Sequence, residues 1–155
     1  LVGSEMCIRD SAETIKAAVT AAETGHLVIS TLHTIGAANT VDRIVDTFPP
    51  EQQRQIRTQL ALALEGVVSQ QLLAAEGGTL IPAFEVMTVT PAVRNMIRES
   101  KAFQLDSVIS TSGALGMITM DQSILELVRG GRVSRDTALR HASNPDWLEK
   151  RLSSL

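Results

Sequence analysis

The chain has 155 residues, 44% of them hydrophobic and 20% charged, with a net charge of −3. That is enough chain to bury a core without staples, and slight acidity with only 3% aromatics argues against nucleic acid as the main partner. A single cysteine, Cys7, excludes a disulfide framework or a four-cysteine zinc site and points to a reducing compartment; no apolar run reaches the ~18 residues of a membrane span.

Residues 12–24 are predicted to be a helix, because Ile15, Ala18, Val19 and Ala22 recur at the spacing of one helical face. Gly25 ends it. Leu27 to Leu32 then reads as a strand, and Leu27-Val28-Ile29 is apolar enough for a sheet covered on both faces. A second helix starts near Ala37 with Val41, Ile44, Val45 and Phe48 inward, and Pro49-Pro50 stops it. The longest helix is predicted over Glu51 to Ala75, on a stripe of Ile56, Leu60, Leu64, Val67, Val68 and Leu72.

Gly77-Gly78 marks a turn, and Leu80 to Val89 holds one strand or two, with Pro82 placing it at an edge or breaking it. Thr90-Pro91 opens a short helix through Glu99, and another spans about Ala102 to Ile109. Gly113 and Gly116 bracket a loop. Thr119 and Gln122 have capping-box spacing before a helix that ends at Gly130-Gly131. Ser134 caps a helix through His141, and Asn144-Pro145 starts a last one carrying Trp147, Leu148 and Leu152.

His26 and His33 flank the apolar run. In a strand their odd spacing sends them to opposite faces, so they do not share a metal, and no metal site is expected. His33 is better placed for chemistry, since it follows the run at the strand's C-terminal end, where α/β folds bind ligands. Ser30, Thr31 and Thr34 supply hydroxyls there. His26 alone reads as a hydrogen-bonded residue packing the helix–strand turn.

Thr20 to Thr34 resembles the His box of the secretion-type ATPases that power pili and protein secretion. Across residues 12–142 the chain is similar to the PilT-type twitching-motility ATPases. Ala38, Val41 to Asp46 and Phe48-Pro49 match the segment after that box. Ala92-Val93-Arg94-Asn95-Met96-Ile97-Arg98-Glu99 is close to the Ala-Ile-Arg-Asn-Leu-Ile-Arg-Glu signature of the retraction motors. Ser112 to Met117 and Thr119 to Asp121 resemble the family's C-terminal stretch, with Ile118 where glutamine is usual.

The resemblance implies an α/β fold: a partial RecA-like P-loop NTPase core, its C-terminal half, followed by a mostly helical C-terminal region. It implies ATP and Mg²⁺ as cofactors, a homo-hexamer, an inner-membrane pilus platform protein as partner, and a cytoplasmic place at the membrane base of the pilus. His33 and His26 are the expected catalytic residues. Thr31, Thr34 and Arg43 are the expected nucleotide-side residues, with a surface ion pair to Asp42 or Asp46 the competing role for Arg43. In the helix of residues 91–99, Val93, Met96 and Ile97 form an apolar face. Arg94, Asn95, Arg98 and Glu99 are expected outside, so that losing either arginine leaves the fold intact.

Leu1 to Asp10 matches, without a gap, the translation of a transposase sequencing adapter. Reading it as the family's Walker B segment requires inserted residues. Residues 1–11 are therefore expected to be non-native, residues 12–90 the C-terminal part of the ATPase domain, and residues 91–155 the helical region. No Gly-x-x-x-x-Gly-Lys-Ser/Thr occurs, so this segment is expected to be inactive alone. The rival readings are an extension or type II secretion ATPase, which commonly adds a four-cysteine zinc module, and a non-catalytic helical binding module.

Overall fold

Helices and a single two-stranded sheet make up the computed structural model, which describes residues 11–75 and 77–153. Of the expected non-native segment, residues 1–10 with Cys7 lie outside the described residues and Ser11 lies within them. The chain divides into two compact units. The first draws on residues up to 66 and on 89–105, the second on residues 67–88 and from 106 onward.

In the first unit, α1 (Ala12–Glu23) is capped by Ser11, whose hydroxyl accepts the Thr14 N–H. At its other end the Gly25 N–H bonds Ala22 O and the His26 N–H bonds Ala21 O. That pair of bonds needs a left-handed residue between them, and Gly25 supplies it at φ 92°. Helix α2 (Ala37–Asp46) buries Ala37, Val41 and Val45, and Phe48 follows them inward. Helices α1, α2 and α4 (Pro91–Arg98) all pack on α3 (Pro50–Ala63), which buries Ile56, Leu60 and Ala61. A 3₁₀ turn, Ala102–Gln104, lies against α2 and α4 and buries Ala102.

Two expectations are corrected in this part of the chain. Residues 27–32 join no strand: a strand exists only through a ladder of hydrogen bonds, and none of the described residues forms one with this run. Leu27 and Ile29 are 89% and 85% exposed, not covered on both faces. The long helix stops at Ala63 and residues 66–74 form β1 (Gly66–Ala74) instead. Gly66 and the β-branched pair Val67-Val68 disfavour helix. The burial has period two, with Ser69 and Leu73 inward and Val68 and Leu72 exposed.

The second unit is built on β1 and β2 (Leu80–Thr88), a single unbroken strand with Pro82 exposed. The five-residue connection makes them an antiparallel hairpin. On β2, Val86 also forms an antiparallel bridge with Ile118. Then come α5 (Leu105–Thr111), a 3₁₀ turn at Gly113–Leu115, α6 (Met120–Arg129), α7 (Arg135–His141) and α8 (Pro145–Leu152). Helix α6 packs on β2, α7 and α8. The core they share contains Leu73, Ala83, Met120, Ile124, Leu125, Ala138, Leu148 and Leu152.

The caps in this unit are those that the sequence predicts. Thr119 and Gln122 form a reciprocal capping box, Ser134 accepts the Thr137 N–H, and Asn144 accepts the Trp147 N–H. Two buried carboxylates add longer links. Glu85 on β2 accepts the Met120 N–H at the start of α6 (3.2 Å), where negative charge is favoured. Asp121 accepts the N–H groups of Ser143 (2.7 Å) and Asn144 (2.8 Å), tying α6 to the α7–α8 turn.

Ile97, 1% exposed, sits among the first unit's packed helices. Ile97→Ala should cost about 2–5 kcal/mol, the range for truncating a fully buried aliphatic side chain. Urea denaturation of the chain checks this; an unchanged midpoint contradicts the packing described.

Candidate functional site

The segment from His26 to Thr34 lies between α1 and α2 as extended backbone. His26 closes α1: its Nδ1 lies 3.2 Å from Ala21 O and 3.1 Å from the Thr24 hydroxyl, which itself donates to Ala21 O at 2.8 Å. Ala21 O can only accept, and the Thr24 hydroxyl already gives its proton to it, so the ring nitrogen facing both serves as a donor and His26 adds to the capping of the helix. Residues 26–33 form no strand, so His26 and His33 are not set on opposite strand faces. His33, Thr31 and Ser30 are exposed.

Thr34 is more constrained. The Thr40 hydroxyl, inside the first turn of α2, donates to Gly36 O at 2.8 Å, so the Thr34 hydroxyl at 2.8 Å donates to Thr40. This pins the exit of the segment to the start of α2. Thr40 was not among the predicted site residues; its only sequence signal is its place four residues after Gly36. Arg43 is exposed on the last turn of α2, and its carbonyl accepts the Thr47 hydroxyl. Beside it, partial burial raises the Asp42 carboxyl above the ordinary carboxylate range. Asp46 adds to that rise, and Arg57 opposes it.

Helix α4 carries the motif of residues 92–99. Thr90 accepts the Val93 N–H at 3.3 Å, and Pro91 occupies the first turn. Val93 and Ile97 are buried and Met96 half-buried, as the apolar face predicts. Ala92, Asn95, Arg98 and Glu99 are exposed. Arg98 donates to Asn95 Oδ1 one turn back. Glu99 accepts from Lys101 at 2.6 Å, and that hydrogen bond, with the lysine's charge, lowers its pKa.

Arg94 departs from the expectation of a solvated charge. Its Nη1 donates to Ala61 O and Leu62 O, both at 2.7 Å, and its Nη2 to Glu65 Oε1 at 3.0 Å. Those carbonyls belong to the last turn of α3, where no helical N–H remains to bond them. Glu65 and the helix-end carbonyls were not legible as partners, because they lie 29 to 33 residues away in sequence.

Residues 2–107 match the family described as Type II/IV secretion system protein, and the chain belongs to that family. The matched range includes residues 2–10. The type IV pilus retractation ATPase PilT of Pseudomonas aeruginosa is 49% identical over 134 residues, 86% of this chain and 39% of its own length. A twitching motility protein of Neisseria gonorrhoeae is 50% identical over 135 residues, 86% of this chain and 36% of its own. The crystal structure of a pilus retraction motor PilT with bound ADP superposes with a TM-score of 0.79 at 40% identity, covering 89% of this chain and 38% of that one. The α/β class and the secretion-ATPase fold that the sequence implies therefore hold. The chain spans less than two-fifths of the length of the curated relatives it matches.

At the end of α4 the Ser100 N–H bonds Ile97 O and the Lys101 N–H bonds Met96 O, the same closure seen at Gly25. Here the left-handed position is held by a serine, at φ 60°. A side chain in that region costs on the order of 1 kcal/mol that glycine does not. Ser100→Gly should therefore stabilise the chain by about 0.5–1 kcal/mol, partly offset by the added freedom of the unfolded chain. Thermal unfolding checks it; a loss of stability contradicts the strain.

Proposed function

We propose that this chain is the C-terminal part of an ATP-driven motor that retracts type IV pili and so powers twitching motility. The observation that carries the reading is helix α4. It presents Asn95, Arg98 and Glu99 outward from a rigid seat, in a chain about half identical to PilT and to a twitching motility protein. An exposed polar face on a helix anchored by Val93 and Ile97 suits transmission of motion to a partner. It adds little stability by itself.

In the intact protein the motor is a homo-hexamer that hydrolyses ATP with Mg²⁺. It acts on the inner-membrane pilus platform protein from the cytoplasmic side. Among the described residues no helix is long and apolar enough to cross a membrane. The exposed hydroxyl of Thr31 and imidazole of His33 suit the phosphate end of a nucleotide, and Thr34, His26 and Arg43 are proposed as further residues on the nucleotide side. These residues do not make a nucleotide site alone. The sequence has no phosphate-binding loop to cradle the phosphates and hold the metal, and the segment by itself should be inactive.

The test uses the intact protein with two single changes. His33→Ala should lower ATP turnover more than ATP binding. Arg98→Ala should leave turnover near normal and slow pilus retraction observed by microscopy. Turnover unchanged in the histidine variant removes His33 from the site, and normal retraction in the arginine variant removes the outward face of α4 from the mechanism.

A further inference from the structure

We propose that Arg94 is a positioning residue: its guanidinium fastens α4 to the open end of α3 and so fixes the outward pair Asn95–Arg98. The inference rests on the retraction reading only for what that pair does. Arg94 reaches three acceptors at 2.7, 2.7 and 3.0 Å, and its side chain is only 27% exposed. Ala61 O and Leu62 O lie beyond the last α3 carbonyl with a backbone partner, Leu60 O, which accepts the Leu64 N–H at 2.8 Å. The guanidinium thus takes the place of a missing turn of helix.

Geometry makes the role specific to arginine. A planar fork can serve two adjacent carbonyls and a carboxylate together, whereas a lysine ammonium is a single compact charge. Arg98 lies four residues on, on the same flank of α4, where its own bond to Asn95 keeps it outward. The same junction starts β1: Glu65 supplies the carboxylate to Arg94 and its backbone carbonyl accepts the Val89 N–H at 3.0 Å. One side chain thereby holds the end of α3, residue 65 and the motif helix in register.

Amide hydrogen exchange on the full chain reads the clamp directly, at the Leu64 and Val89 amides. Arg94→Ala and Arg94→Lys should each speed exchange there about tenfold, as local opening becomes easier, while Arg98→Ala leaves it unchanged. The lysine variant keeps the charge and guards against an alanine variant that fails to fold. In the intact motor, at a temperature where the variants are folded, Arg94→Lys should slow retraction while ATP turnover per subunit stays normal. Unchanged exchange in both Arg94 variants overturns the proposal. So does retraction that falls only in step with turnover, which marks a merely structural residue. Normal retraction in Arg98→Ala with fast exchange in the Arg94 variants leaves the clamp standing and overturns the retraction reading instead.

Discussion

Arg94 laid across the end of α3 is the extreme case of a constraint that runs through the molecule: the ends of short helices must be satisfied from outside. Among the described residues the α-helices run from 7 to 14 residues, lengths at which isolated helices are marginal. Each leaves N–H groups at one end and carbonyls at the other. Ser11, Thr90, Thr119, Ser134 and Asn144 meet the local demand at N-termini. Glu85, Asp121 and Arg94 meet it across the sequence, and in doing so they decide which elements sit together.

The same constraint shapes the candidate site. His26 and Thr24 complete the end of α1, and Thr34 and Thr40 secure the start of α2, so the exposed segment between them is held at both ends. Its apolar side chains Leu27 and Ile29 stay uncovered, while its polar side chains Thr31 and His33 face outward with them. On α4 the apolar seat of Val93 and Ile97 and the clamp of Arg94 leave Asn95, Arg98 and Glu99 as the outward polar group. Within one eight-residue motif, two arginines four residues apart have different physical roles.

What was legible in the sequence was local. Thr119 with Gln122, Ser134, Asn144 and Thr90 act over three residues, so the chain shows them directly, and each caps the helix expected of it. Ile15 with Val19, and Val93 with Ile97, gave the right buried faces because helical period alone determines them. The failures came where a neighbour decides. Leu27 to Leu32 has the composition of a buried strand, but a strand needs an edge to pair with, and composition cannot supply one. Val67, Val68 and Leu72 extended a helical stripe on paper, although Gly66 and two β-branched residues argued for a strand with inward Ser69 and Leu73. The motif of residues 92–99 was visible as a resemblance. The inward turn of Arg94 was not, since its acceptors come from another element.

A graft tests most directly that this segment is the working C-terminal part of a retraction motor. Residues 12–153 replace the matching part of PilT in Pseudomonas aeruginosa, and twitching across a surface is measured beside ATP turnover. The predicted result is restored movement with turnover near that of the parent. A graft that folds and hydrolyses ATP at the parent rate, yet leaves the cells unable to twitch, would contradict it.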